Sequence, residues 1–229
     1  MSSTLLQYGV ADRVATITLD DGKVNALSPA MQTEIRDAFD RAEKDDVGAV
    51  VLAGRAGRFS GGFDLNVIRS GGTEGAAMVR GGFEISERLL SFPKPIVAAC
   101  TGHAIAMGSF LLLSVDHRVG SNGDARIQAN EVAIGMTLPY AALALMRYRL
   151  TPAVFDRASN TACVWSPNAA VAAGWLDEVV APDQVVARAQ EVAAGFTLLD
   201  PNAHAATKLR VREPLLDELR RRIASPTDL

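Results

Sequence analysis

The chain has 229 residues, of which 48% are hydrophobic, 21% charged and 6% aromatic, the balance of a globular protein able to bury a core without disulfide or metal staples and too apolar for a disordered one. Its 23 Lys and Arg against 26 Asp and Glu give a net charge of -3, which argues against nucleic-acid binding, since that needs a cationic surplus or a concentrated basic stripe. The 2 Cys and 3 His show neither CxxC nor HExxH spacing, so no metal site is expected and chemistry falls to carboxylates, hydroxyls or backbone amides.

The first residues carry no basic segment followed by a long apolar one, and no run reaches the roughly 18 apolar residues of a membrane span. A cytoplasmic protein with no membrane partner is expected. Val14–Leu19 (VATITL) is rich in β-branched residues and bounded by Asp20, Asp21 and Gly22, which predicts a strand ending in a turn, with residues 5–8 pairing to it. Ser28 then Pro29 read as a helix cap and first helical position. Met31, Ile35, Ala38, Phe39 and Ala42 recur at helical spacing up to Asp45 and Asp46. Residues 47–53 form an apolar run of the kind a parallel strand covered on both faces shows, and it opens into a loop over 54–62.

A helix is predicted over 73–90, closed by Pro93 and Pro95, then a buried strand at Ile96–Cys100. Gly71, Gly72, Gly81 and Gly82 mark residues 67–83 as mobile. A small-residue turn over 102–108 leads to an apolar helix at 109–115, and short strands follow at 117–120 and 125–129. Beyond Glu131 come helices at 139–150, 152–160 and 166–173, a strand at 176–180, and helices at 182–196 and 202–223. This order favours an α/β layer architecture with a helical C-terminal part. Arg220, Arg221 and Arg222 lie near Glu213, Asp217 and Glu218, the mark of a solvated helix face.

Two glycine-rich turns follow buried strands, where ligands gather in open α/β sheets. They are Arg58-Phe59-Ser60-Gly61-Gly62-Phe63-Asp64-Leu65 and Gly102-His103-Ala104-Ile105-Ala106-Met107-Gly108-Ser109. Neither fits the P-loop or the dinucleotide fingerprint. Both offer backbone N–H groups at a helix start, suited to partial negative charge on oxygen; the plainer reading is that the glycines only turn the chain.

Four segments in order carry a family resemblance over nearly the whole chain: Asn25-Ala26-Leu27-Ser28, then residues 59–65, then Pro95-Ile96-Val97-Ala98-Ala99-Cys100-Thr101-Gly102, then Ala106-Met107-Gly108. Together they resemble the crotonase, or enoyl-CoA hydratase/isomerase, superfamily. The resemblance implies a crotonase-like spiral of ββα units over residues 1–165 and a helical region over 166–229 that forms a homotrimer or a dimer of trimers. It implies an acyl-CoA thioester substrate and no cofactor beyond the CoA that the substrate carries. Carried over by position, the amides of Phe63 and Met107 form an oxyanion hole, and Asn25, Ala26, Leu27, Gly61, Gly62, Asp64, Leu65, Gly108 and Phe110 line the substrate. Met107 stands where the family usually has glycine, which keeps the amide and narrows the acyl pocket.

Hydratases of this family use two glutamates, and the first falls on Phe110, which transfers no proton. The second falls on Glu131, set among apolar neighbours in Gln128-Ala129-Asn130-Glu131-Val132-Ala133-Ile134-Gly135, where desolvation raises a carboxyl pKa towards a value useful for acid/base work. The segment is similar to that of 3,2-enoyl-CoA isomerases, as are residues 174–180 and 204–208. The resemblance therefore ranks double-bond isomerisation with Glu131 as sole acid/base first, in fatty-acid metabolism; hydration and non-catalytic acyl-CoA binding stand as alternatives. Against the catalytic role stands a salt-bridged or helix-capping Glu131. Ser60 and Ser109 lack the nucleophile-elbow context of a serine hydrolase. Asp64 reads as a helix-start group and His103 as a hydrogen-bonded lining residue. Lys208 and Arg210 are either solvated helix charges or partners of CoA phosphates.

Overall fold

The computed structural model describes residues 4–225; residues 1–3 and 226–229, the outer ends of the two expected regions, lie outside the described residues. Two strands, β1 (Leu6–Ala11) and β2 (Val14–Leu19), pair antiparallel across Asp12 and Arg13. Both turn residues have positive φ, 49° and 61°, the left-handed backbone that tight hairpins demand. From β2 the sheet continues in parallel through β3 (Ala49–Gly54), β5 (Ile96–Cys100), β7 (His117–Ser121) and β9 (Glu178–Val180). The order is β1-β2-β3-β5-β7-β9. A second parallel sheet holds β4 (Gly57–Ser60), β6 (Gly102–Ile105) and β8 (Ile127–Gln128) in the order β4-β6-β8.

Three times the chain leaves a large-sheet strand, rounds a corner into a short strand of the second sheet, and then enters a helical segment. That repeat is the ββα spiral. Strand periodicity explains why the large sheet is covered on both faces. Ala15, Ile17, Leu19, Val50, Leu52, Ile96 and Ala98 face the main core with α1 (Pro29–Lys44), α3 (Gly72–Ser91) and α4 (Met107–Leu113). The alternate residues Val14, Ala49, Val51, Ala53, Val97, Ala99 and Val119 pack on Val185, Ala189 and Ala193 of α8 (Val185–Phe196). Both β9 and α8, beyond residue 165, are thus built onto the large sheet.

The predicted helices, including α6 (Pro152–Thr161) and α7 (Pro167–Ala173), and the large-sheet strands are present. Differences concentrate in the short elements. Residues 54–62 and 102–108 contain β4 and β6 rather than loop alone, because these strands pair only with distant partners and leave no alternating pattern over four residues. The helix expected at 109–115 starts at Met107, and a short helix, α2 (Leu65–Ser70), precedes α3. Of the glycines taken to mark mobility, Gly71 and Gly72 have positive φ at the α2–α3 break, whereas Gly81 and Gly82 are buried inside α3.

The last helix, α9 (Pro201–Ala224), crosses α3 and α5 (Tyr140–Arg149). Lys208 is neither a solvated charge nor a surface cation. Its ammonium lies 2.7 Å from Oδ2 of Asp116, and the Arg212 guanidinium lies 2.7 Å from Oδ1. Oδ2 also accepts the Ile96 amide at 2.8 Å, so one carboxylate ties α9 to the first residue of β5. Burial pushes the Asp116 carboxyl upward, but Lys208 and Arg212 outweigh it and hold the group below the usual carboxylate range. Burial conversely lowers Lys208 to about 8. Arg220 and Arg221 are exposed and offset by Glu87 and Glu218, the solvated pattern expected of them, whereas Arg222 pairs with Glu218 while half-buried over the Tyr140 ring. No described helix is long and apolar enough to cross a membrane.

Removing Asp116 strands two buried cations, and breaking such a pair costs about 3 to 5 kcal/mol. The Asp116→Ala variant is expected to lose stability on that order, with α9 loosened from β5, as measured by urea unfolding and by hydrogen exchange along α9.

Candidate active site

The second sheet decides what meets what. In its register Ser60 lies opposite Ala104 and Ala104 opposite Ile127. Because all three strands run parallel, the segments that follow them emerge at one end of the sheet. Three residues past Ser60 comes Phe63, three past Ala104 comes Met107, and four past Ile127 comes Glu131. Ligands in parallel sheets bind at the carboxyl ends of strands, and here the two candidate amides and the candidate carboxylate share that end.

The first turn is fixed from below by residues 21–28. Asp21 accepts the amides of Lys23, Asn25 and Ala26 at 2.7 to 2.9 Å, an arrangement typical of Asp in tight turns. Asn25, at φ 54°, is fully buried and donates to the carbonyls of Leu19 at 2.9 Å and Phe59 at 3.1 Å. Its amide side chain is spent on the backbone, so it shapes the site by support. Ser60 donates to the Asn25 carbonyl at 2.8 Å and accepts the Gly62 amide, leaving its hydroxyl a structural group. Gly61 donates to Val24, and Leu27 to Gly62, each at 2.8 Å.

Gly62 lies where only glycine fits. Its φ is 87°, and a Cβ there would lie 2.8 Å from both the Ala106 Cβ and the Ile105 carbonyl, and 3.3 Å from the Met107 amide nitrogen. The two turns therefore touch back to back. Ala106 has φ 50° and ψ -125°, a backbone state that costs a non-glycine residue about 1 to 3 kcal/mol and persists only when its surroundings enforce it. They do: its amide donates to Gln128 at 2.8 Å, and its carbonyl accepts the amide and hydroxyl of Ser109. Met107 is then the first residue of α4, whose leading amides lack intrahelical acceptors. Neither the Phe63 nor the Met107 amide has a hydrogen-bond acceptor among the described residues.

The other expected lining residues take distinct positions. Leu27 and Phe110 lie in the core, and Gly108 packs against Ser60. Phe110 stacks on Phe83 with centroids 6.2 Å apart, and Phe83 meets the Phe63 ring edge-on at 6.4 Å. An aromatic column thus runs from Phe110 through Phe83 to the first turn. Asp64 caps α2 by accepting the Asn66 amide at 2.9 Å, the helix-start role expected for it. Ala26 and Gly61 are half-buried, and Leu65 and Val24 are exposed. Beside Gly61 opens a cleft of about 500 Å³ lined by Val24, Arg58, Gly61, His103, Ile105, Asp124, Arg126 and Gln128. His103 accepts the Arg126 amide through Nδ1 at 3.0 Å, and burial followed by the Arg58 and Arg126 charges keeps it below the ordinary histidine value.

Glu131 differs from every other acid in the chain's core. It follows β8, which Trp165 pins through a reciprocal pair of 3.0 Å bonds with Ile127. Its carbonyl accepts Ile134 and Met136 in a 3-10 turn closed by left-handed Gly135. The side chain makes no ion pair and caps no helix among the described residues, and its Oε2 is buried without a partner. Burial pushes its pKa up to about 7, offset only in part by its own backbone amide. Sequence reasoning missed Asp21 and Gly82; the DDGKVN turn signature marks the first, whereas the second becomes visible only through contacts.

A raised pKa makes the ionised form a burden on the fold. Below about pH 4 the acid is neutral both folded and unfolded; between there and 7 the unfolded chain releases its proton first, and stability falls as pH rises. The Glu131→Gln variant is expected to be more stable than the wild type at pH 8 by on the order of 3 kcal/mol, with the advantage gone at pH 4, as thermal unfolding at both values measures.

The profile of the family described as enoyl-CoA hydratase/isomerase matches residues 9–229. A Mycobacterium avium protein named probable enoyl-CoA hydratase is 32% identical over 212 residues, which span 91% of this chain and 80% of that protein. Among solved structures, an apo enoyl-CoA isomerase of Mycobacterium tuberculosis is similar at TM-score 0.94 and 51% identity, covering 97% of both chains. An enoyl-CoA hydratase of Mycobacterium marinum is similar at TM-score 0.94 and 49% identity, covering 98% of each. The profile spans nearly the whole chain and its spiral is theirs: this protein belongs to the enoyl-CoA hydratase/isomerase family, within the crotonase superfamily.

Proposed function

We propose that the protein converts 3-enoyl-CoA to 2-enoyl-CoA, using Glu131 as sole acid/base. The observation that carries this reading is a buried carboxylate with an unpartnered Oε2, no cation beside it and a pKa near 7 at the same strand end as two free amides, while Phe110 stands at the motif position of the second acid. The ionised carboxylate takes a C2 proton. The C–H electron pair moves into the carbon framework and onto the thioester oxygen, giving a dienolate whose charge the Phe63 and Met107 amides receive; one such donor is worth about 3 to 4 kcal/mol in a transition state. Neutral Glu131 then returns the proton at C4, and the double bond comes to rest between C2 and C3. No water is activated, and CoA enters only as part of the substrate. Arg58 and Arg126 in the adjoining cleft suit its phosphates.

Hydration is the second reading, favoured by the hydratase names of several relatives. It needs Glu131 to direct water to C3. Side-by-side incubation with 3-enoyl-CoA and 2-enoyl-CoA separates them: double-bond migration is the expected outcome, 3-hydroxyacyl-CoA formation selects the hydratase, and binding without turnover selects a silent binder.

Because the base acts ionised, kcat/KM for isomerisation is expected to rise with pH through about 7 and level off above it. Glu131→Gln is expected to lower kcat by about 10²- to 10⁴-fold with little change in KM, as steady-state assays measure. The homotrimer, or dimer of trimers, belongs to the same proposal. Exposed Leu198, Leu199, Leu209 and Val211 offer apolar surface for it, and light scattering is expected to give a multiple of three chains.

A further inference from the structure

Helix propensity makes Gly82 a puzzle. It lies in the interior of a 20-residue helix, where glycine costs about 1 kcal/mol relative to alanine, and it is buried, so solvent exposure does not account for it. Its contacts do. A Cβ built on Gly82 would lie 2.5 and 2.6 Å from Cε1 and Cζ of the Phe63 ring, and 3.5 Å from Cγ of Met107. The side chains of both residues whose amides form the candidate oxyanion pair therefore rest on this one bare stretch of α3. The half-buried Phe63 ring also meets the Phe83 ring edge-on, and Phe83 is itself stacked on Phe110. Beyond Phe63, the peptide joining it to Gly62 is wedged against the Met107 turn.

We infer that Gly82 is a positioning residue for the oxyanion hole: by presenting no side chain, it sets how far the Phe63 and Met107 backbones stand from α3 and hence where their N–H groups point. This rests on the acyl-CoA reading above. Carbon atoms pack at about 3.5 to 4.0 Å, so an added methyl displaces the Phe63 ring by roughly 1 Å. A misplacement of that size in a catalytic constellation costs about 10²-fold in rate.

Gly81 supplies the control. It neighbours Gly82 on the same helix, and its Cβ would lie as close, 2.4 and 2.6 Å, to the side-chain ends of Gln32 and Arg36, but touch neither Phe63 nor Met107. The test compares wild type, G82A and G81A in steady-state isomerisation and in the infrared stretch of the thioester carbonyl of bound, 13C-labelled butanoyl-CoA, which reads the hydrogen bonds to that oxygen without turnover. G82A is expected to lose most of the wild-type carbonyl shift and about 10²-fold in kcat at unchanged KM, while G81A retains both. Adding F63L to G82A removes the ring atoms that clash but keeps the amide, and is expected to recover most of the loss. That double variant also carries the test if G82A alone does not fold, since recovery of fold and carbonyl shift together locates the clash at Phe63. Wild-type behaviour in G82A, equal losses in G81A, or no recovery in the double variant overturns the inference. An unshifted carbonyl in the wild type overturns the acyl-CoA reading itself, and the inference with it.

Discussion

Parallel pairing of three very short strands is the constraint on which the site depends. Strands β4, β6 and β8 contribute few hydrogen bonds, yet their common direction sends three remote segments out at one end of one sheet. An antiparallel middle strand would deliver Met107 to the opposite end and leave a single amide beside the carboxylate. The spiral enforces the direction, since each short strand is entered from a large-sheet strand that is itself parallel to its neighbours. Strain at Ala106 and the close fit at Gly62 are tolerated because both turns are bonded from several sides.

Two buried carboxylates show how context decides the fate of a charge. Asp116 and Glu131 are both deeply buried, and burial alone drives each pKa upward. Asp116 meets a lysine, an arginine and a backbone amide, so ionisation wins and the group becomes the anchor of α9. Glu131 meets no cation, so ionisation and protonation are balanced near neutrality. One acid stabilises the fold and the other burdens it. That balance is what the proposed proton transfer draws on, because a group that takes and returns a proton works best when neither form is strongly preferred.

The aromatic column joins packing to chemistry. Phe110, Phe83 and Phe63 run from the core to the first turn, so the residue at the motif position of the family's first glutamate also braces the side chain of the first candidate oxyanion residue. Apolar surface beside the candidate amides lowers the local dielectric, and a hydrogen bond there is stronger than in water.

Much of this was legible in the sequence. Long elements announce themselves by periodicity, so α1, α8 and α9 and the strands of the large sheet were predicted to within a few residues, and the four ordered motifs pointed to the family. Glu131, Phe63 and Met107 stand out as candidates by motif position. What the sequence alone could not determine depends on partners remote in the chain. β4 and β6 were invisible because four residues carry no readable period, and Gly82 looked like a flexible joint because nothing local says that two side chains rest on it. Lys208 looked solvated because Asp116, its counter-ion, lies 92 positions away. Local composition and the ordered motifs therefore determined the long elements, the family and the candidate site residues. Tertiary structure decided which amides were left unpaired and which acid was left without a cation, because hydrogen bonding and desolvation depend on distance in space rather than along the chain.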